Sequence, residues 1–434
     1  MSRSKLLKNT FILILGGMIT KILGFIIKIL YTRYLKSEGL SLITLIFPTY
    51  TLLLTISGFA LPLAITKLIA EKKERKSKII FSSLWIAAFI NLLLIIITML
   101  FANIFATNIL HEPRCGFLIK ILCFTLPFIS VTSIIKAYFF GLENIKPIVF
   151  SNLSEELIKL MMVILLLPKF INKGTLYGVS FYLFINFMCE VISFFTLSIF
   201  LPKKIKIKNL DYKYDQKCIT EISKISIPTL GGKIIGSIGY FFEPIIITNM
   251  LIIKGFDSSY IRLNYGYFQG YAIAILTIPS FFLMALSSNI IPAISKLKVT
   301  NKYENIKKLI NKIIITIIIG GFLFTGTLFI YGKNIMNILY KTTKGYKYLK
   351  ILLPYFILFY LESPLLTILQ SLDQEKKVFK ITTLGILVKY LTLLSLILLD
   401  IGFMSLIISE IINIIFIITL CFYYLKKALN HFSQ

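Results

Sequence analysis

Histidine is nearly absent, with only His111 and His431, and the five cysteines are scattered without a C-x-x-C pair. That spacing predicts neither a disulfide framework nor a zinc site, and no cofactor is expected. Clustered catalytic carboxylates in polar loops are missing too, so the residues give no reason to expect an enzyme. Acidic residues are few: 19 Asp and Glu stand against 47 Lys and Arg, a formal net charge of +28. In a water-soluble chain this imbalance would point to nucleic acid. Here the bases gather in loops between apolar spans, which marks them as topology determinants and as contacts to anionic membrane lipids. No nucleic-acid partner is expected. Nor is a cleavable leader, because the first apolar span, Thr10–Leu35, is too long for one and has no small-residue cleavage site.

What the chain has in excess is apolar length. Of its 434 residues 57% are hydrophobic, and the mean hydropathy is +0.85. Runs such as Ile79–Leu100 and Ile313–Ile330 carry no charge. A bilayer core needs about 20 such residues per helix, and that length recurs throughout. The pattern predicts an all-α integral membrane protein of about twelve transmembrane helices, near 10–35, 40–66, 79–108, 116–140, 146–168, 175–201, 223–253, 264–295, 308–332, 347–371, 378–399 and 402–425. Lysines and arginines are denser in the loops on the N-terminal side, which predicts both termini in the cytoplasm. The longest polar stretch, 203–222, divides a six-helix lobe at 1–202 from another at 223–434. Its alternating Lys and Ile suit a segment lying on the membrane surface or a solvated connector.

The two lobes share an ordered set of matches. Leu15-Gly16-Gly17 corresponds to Leu230-Gly231-Gly232, Gly24 to Gly239 and Lys28 to Glu243. Pro48 and Pro62 correspond to Pro279 and Pro292, Glu143 to Asp373, Lys159 to Lys389 and Glu190 to Glu410. A repeat of six helices enters from the same side each time, so the expected arrangement is two parallel six-helix repeats facing a central cavity.

Charges inside the spans are the candidate functional residues, since a mid-bilayer charge costs about 2.5–3.5 kcal/mol and normally faces protein or water. In the first helix Gly17, Lys21, Gly24 and Lys28 share one face. The matching face in the seventh helix holds Gly232, Gly236, Gly239 and Glu243. Lys21, Lys28 and Lys389 are the expected cavity cations for an anionic headgroup, with Lys28 and Glu243 a candidate pair. Glu155, Glu190, Glu243 and Glu410 are candidate gating or ion-coupling acids, and Glu362 belongs with them. Glu155 and Lys159, four apart, predict an intrahelical ion pair. Pro48, Pro62, Pro279 and Pro292 are expected to kink their helices, and Gly17, Gly24, Gly236 and Gly239 to give room or hinge motion.

Gly24-Phe25 with Lys28, FPTYTLLLTISGFALPLAITKLIAE at 47–71, YFFGLENIKPIVFSNLSEELIK at 138–159 and YGYFQGYAIAILTIPSFFLMALSSNIIPAISK at 265–296 resemble the polysaccharide-transport branch of the multidrug/oligosaccharidyl-lipid/polysaccharide exporter superfamily. The resemblance spans nearly the whole chain. It implies a cytoplasmic-membrane flippase for a lipid-linked oligosaccharide of the undecaprenyl-diphosphate type. A peptidoglycan precursor of the spore cortex is one candidate cargo, and cell-wall synthesis proteins are candidate partners. The resemblance also implies a cavity-facing basic residue on the first helix, at the positions of Lys21 and Lys28, where arginine is usual. Relatives carry Glu-Gln and an Arg in the fifth helix; this chain has Glu155-Glu156 and Lys159. Members of the branch often have fourteen helices, against twelve here. The main alternative is a cation-coupled multidrug antiporter of the same superfamily, which wants an acid on the first helix. A membrane-embedded enzyme and a membrane scaffold are the remaining alternatives.

Overall fold

A computed structural model describes residues 3–71, 76–201, 215–299 and 303–431, and nearly all of them are helical. In chain order the helices of the first half are α1 (Arg3–Gly58), α2 (Leu61–Glu71), α3 (Lys76–Ile104), α4 (Arg114–Gly141), α5 (Lys146–Leu165), α6 (Leu167–Ile171) and α7 (Thr175–Ile199). Then follow α8 (Gln216–Ile253), α9 (Ser258–Tyr265), α10 (Ala274–Leu276), α11 (Ser280–Val299), α12 (Tyr303–Tyr340), α13 (Tyr346–Ser371), α14 (Glu375–Leu398) and α15 (Met404–His431). Among the described residues nine helices are long and apolar enough to cross a membrane. One of these, Leu15–Glu71, holds two passes, because Lys36 at φ 55° breaks α1. Two further passes fall outside the nine. α5 with α6 carries Glu155, Glu156 and Lys159, and α9–α11 is interrupted by a π-helical stretch at Gly266–Ile273 and a turn at 277–279. The chain is therefore a multi-pass, all-helical membrane protein, and its helical passes fall where the apolar runs place them.

Two compact units divide the chain, Met1–Ile245 and Ile246–Gln434. The division lies inside α8, just after Pro244, because Cys218 and Ile222 at the start of α8 pack into the core of the first unit with Leu61, Ile65, Ile134, Phe139 and Leu197. Residues 202–214, most of the basic connector, lie outside the described residues, as do Lys72, Lys73 and Arg75.

Each unit, taken by itself, uses the same pairings. In the first, α3 packs on α4, α4 on α7, α5 on α7 and α2 on α4. In the second, α12 packs on α13, α13 on α15, α14 on α15 and α11 on α13. The turns repeat as well: Glu143 and Asp373 both adopt positive φ, 56° and 58°, at the ends of α4 and α13. α6 and its turn have no counterpart between α14 and α15, which makes the Lys159–Glu190 spacing longer than the Lys389–Glu410 spacing.

The prolines do not repeat their effect. Pro48 sits within the part of α1 that runs on helically after Lys36, and the second pass breaks instead at Phe59 and Ala60, at φ 43° and 50°, just before Pro62 in the first turn of α2. In the eighth pass the break falls at Pro279, whereas Pro292 lies within α11. At Pro48 and Pro292 the helix runs on without a break. A helix can absorb proline when neighbouring helices and side chains re-satisfy the freed carbonyl. The break at Phe59–Ala60 follows a buried polar clamp. Ser57 Oγ donates to Asn91 Oδ1 at 2.8 Å, and Asn91 Nδ2 donates to Ser130 Oγ at 3.0 Å, tying α1, α3 and α4.

Turns on one side of the first unit are tied together. Arg114 binds Glu112 at 2.7 Å and Glu38 at 2.7 Å, and Thr175 donates to Glu38 at 3.2 Å. In the second unit Lys254 pairs with Asp400 at 2.7 Å and donates to the Leu398 carbonyl. On the other side, Lys78 approaches Asp215 at 3.6 Å. The Cys218 N–H, followed by Lys78, holds the Asp215 carboxyl below the usual carboxylate range, as befits an N-terminal cap of α8.

Glycines separate into packed and open positions. A Cβ on Gly141 would lie 2.8 Å from Ile69 and 3.0 Å from the Thr66 carbonyl, whereas one on Gly17 would meet nothing within 4 Å. Gly141→Ala is therefore expected to destabilise by about 1–3 kcal/mol through overpacking. Gly17→Ala is expected to stabilise by about 0.5–1 kcal/mol through helix propensity. Thermal unfolding in detergent should show midpoint shifts of opposite sign.

Candidate functional site

Within the first unit, polar side chains from four helices converge at membrane depth. The face of α1 that carries Gly17, Lys21, Gly24 and Lys28 turns in part toward α5. At Gly24 the missing side chain leaves room for Glu156, whose Oε1 would lie 3.7 Å from a Cβ there. Lys21, exposed on the same face, lies within electrostatic range of Glu156. Glu155, one residue earlier, pairs with Lys136 of α4 at 3.6 Å. The expected Glu155–Lys159 pair is therefore replaced by an interhelical one. The physical reason is distance across the α4–α5 contact: Lys136 reaches the carboxylate from a neighbouring helix, while Lys159 turns toward α7 and sits 5.9 Å over the Tyr182 ring. Glu190 of α7 accepts from Thr132 of α4 at 3.0 Å. Tyr31 of α1 stacks near Tyr182, with ring centroids 4.3 Å apart.

Lys28 is different. It is half-buried, its ammonium is withdrawn from the surface, and no ion pair joins it to another described residue. Glu243, the acid at the matching place in α8, is fully buried at 1% exposure, and it is not paired with Lys28. The expected Lys28–Glu243 pair is not formed. Matching places in a repeat fix where a residue sits in its own helix and do not bring the two together.

The second unit holds a tighter version of the same constellation. Lys389 Nζ lies 2.6 Å from Glu410 Oε2, linking α14 to α15, with each side chain only about 15% and 17% exposed. Glu362 of α13 stands close enough to feel both charges. Lys389 and Glu410 correspond to Lys159 and Glu190, and Glu362 to Thr132. Lys389, expected from the sequence as a cavity cation without a partner on its own helix, is ion-paired across the α14–α15 contact to Glu410.

The glycines of α8 bear on how these faces are used. A Cβ on Gly231, Gly232 or Gly236 would meet nothing within 4 Å, so this stripe, like Gly17, is not there to let a neighbouring helix in. Gly239 is buried. Lys136 and Thr132 were not singled out by sequence reasoning. An uncompensated lysine inside the apolar run of α4 was the available signal for the first, and a threonine carries none.

Two units of matching helix packing, each with lysines and carboxylates buried at membrane depth, define a helical transporter-type membrane protein. The sequence profile of the polysaccharide biosynthesis protein family matches residues 6–298, and the chain belongs to that family. It is similar to Stage V sporulation protein B of Bacillus subtilis (strain 168), with 29% identity over 399 residues, 90% of this chain and 77% of that protein. It is also similar to the lipid II flippase MurJ of Bacillus subtilis (strain 168), with 22% identity over 432 residues, 89% of this chain and 76% of that one. Among solved structures, the inward closed conformation of the lipid II flippase MurJ superposes with a TM-score of 0.72 at 17% identity, covering 96% of this chain and 89% of that one. An inward-facing multidrug resistance MATE family transporter of the MOP superfamily gives a TM-score of 0.81 at 12% identity, covering 95% of both. At these identities the structures establish a shared fold.

Proposed function

We propose that the chain is a flippase that moves a lipid-linked oligosaccharide across the cytoplasmic membrane by alternating access. The observation that carries this reading is Lys28: an enclosed ammonium on the first helix, without a protein counter-ion among the described residues, suits an anionic headgroup such as a diphosphate. Lys21, on the same face, adds positive charge beside it. An uncompensated cation in the membrane is costly, and a cargo that supplies the missing negative charge offsets that cost only while bound. No covalent step is needed. In this reading the lobes 1–202 and 223–434 act as parallel six-helix repeats in an alternating-access cycle, both termini are cytoplasmic, and the cargo is a cell-wall precursor passed to downstream synthesis proteins. The similarity to the lipid II flippase MurJ of Bacillus subtilis (strain 168) supports the cargo class.

A cation-coupled antiporter fits less well. Glu155 and Glu156 of the first unit lie among lysines, Glu155 paired to Lys136 and Glu156 near Lys21 and Lys159, and the first pass, at 10–35, has no acid.

The test is reconstitution into liposomes with a fluorescent undecaprenyl-diphosphate saccharide. Protein-containing vesicles are expected to exchange the lipid between leaflets faster than empty ones. Equal rates would overturn the proposal, and cation-driven dye extrusion in the same vesicles would favour the antiporter.

A further inference from the structure

Three parts of the second unit meet around a polar pocket of about 530 Å³: the end of α11, the turn from α13 into α14, and the last turns of α15. Its polar lining is Lys298, Asp373, Gln374, Lys377, Tyr424 and Lys427. Three lysines thus face one carboxylate. Lys298 pairs with Asp373. Lys377 holds its ammonium 5.4 Å from the centroid of the Tyr424 ring. No ion pair joins Lys377 or Lys427 to another described residue. Glu375 leaves α14 two residues before Lys377, hence on the other side of the helix, and is not part of the lining.

The backbone adds to this charge. α14 begins at Glu375, and Gln374 at its N-cap makes no side-chain bond to the opening N–H groups. Those groups have no partner inside the helix, and a helix start favours an anion. Compensation of helix dipoles accounts for Lys427 near the end of α15, but it disfavours Lys377 in the first turn of α14. Nor does the turn itself require the lysines. Gln374 N–H donates to the Leu369 carbonyl at 3.0 Å, and in the matching turn of the first unit Asn144 N–H donates to the Phe139 carbonyl at 3.0 Å. There Pro147 stands in the place of Lys377, counted from Glu143 and Asp373, and Leu68 in the place of Lys298, counted from Pro62 and Pro292.

We infer that this pocket binds a phosphate group carrying two negative charges, held by Lys298, Lys377 and Lys427 against the start of α14. The lining's excess of two positive charges matches such a dianion. Lys298 keeps further donors beyond the one given to Asp373. The group arrives on a lipid headgroup or on a soluble ester, and its chemistry in the pocket is the same for both. The pocket lies wholly within the second unit, shares no residue with the face of Lys28, and fills independently of the cargo.

Calorimetric titration of the full chain in an uncharged detergent tests this at constant ionic strength and mildly alkaline pH, where both probes are mostly dianions. The probes are inorganic phosphate and dihexanoyl phosphatidic acid below its micellar concentration. Lys377→Gln with Lys427→Gln is expected to weaken binding about tenfold or more, through the loss of two charge-assisted contacts. Lys347→Gln with Lys350→Gln, at the opposite end of α13 from Asp373, removes the same charge and is expected to change the affinity less than about twofold. All four lysines are exposed, so both double variants should keep the unfolding midpoint of the unliganded protein. Tighter binding of the phosphatidic acid supports a lipid headgroup as the source, and equal or weaker binding supports a soluble ester. Equal losses in the two double variants would overturn the inference, leaving only the general attraction of a chain of net charge +28 for anions. Failure of both probes to bind would overturn it as well.

Discussion

Lys28→Met is expected to slow leaflet exchange of a diphosphate-linked saccharide by about tenfold to a hundredfold, the worth of one charge-assisted hydrogen bond, while the fold becomes no less stable. The two effects part company because Lys28 has no counter-ion among the described residues. A paired lysine stabilises the resting protein, and its removal leaves a partner stranded. An unpaired one burdens the resting protein, by about 2.5–3.5 kcal/mol at mid-bilayer on insertion scales, and its removal relieves that burden. Lys28→Met keeps the length and apolar stem, so packing along α1 is little changed. The expected record is therefore a slower flipping rate with an unchanged or higher unfolding midpoint. Lys28→Arg should retain most of the rate, because a guanidinium holds phosphate at least as well as an ammonium. A Lys28→Met protein that flips normally would remove the electrostatic reason for an anionic cargo. One that unfolds more easily would show that Lys28 has a structural partner.

The passes were legible in the sequence because bilayer thickness sets a length that apolar runs must meet. Matching places in the two halves could be read off the sequence because glycines, prolines and intramembrane charges stand out against long apolar spans. Partnerships were not legible. Glu155 sits four residues before Lys159, a spacing that invites an intrahelical pair, yet it bonds Lys136 across the α4–α5 contact. Lys389 has no acid one turn away on α14, yet Glu410 meets it from α15. Helical periodicity fixes the face a side chain leaves from and says nothing about what the next helix presents. Helix breaks were legible only in part for a related reason. Pro62 and Pro279 adjoin real breaks whereas Pro48 does not, because proline removes a single backbone hydrogen bond and the surroundings decide whether the helix runs on. The glycine stripes name a face of each helix but not its use. Gly141 and Gly17 look alike in sequence, and only the surroundings distinguish a glycine that admits Ile69 from one that fronts open space.

Breaking the Lys389–Glu410 pair is expected to cost about 3–5 kcal/mol of stability, the usual penalty for stranding one partner of a buried ion pair. Both side chains are mostly withdrawn from the surface and their charged atoms are 2.6 Å apart. Lys389→Met leaves Glu410 beside Glu362, two carboxylates with no cation between them, so one must take up a proton or the helices must part. Glu410→Gln leaves Lys389 with Glu362 still in range, so its loss should be smaller. That asymmetry distinguishes a triad from a simple pair. Replacing both, as Lys389→Met with Glu410→Leu, should recover most of the loss, because matched apolar residues replace a buried ion pair at little cost, so the loss in the double variant should fall well short of the sum of the two single losses. Chemical unfolding of the four proteins in detergent measures all of this. The same variants separate a helix-locking role from a cargo-binding one in the flipping assay. If the pair holds α14 to α15, the rate of the double variant returns together with its stability. If Lys389 also meets the cargo headgroup, stability returns and the rate does not.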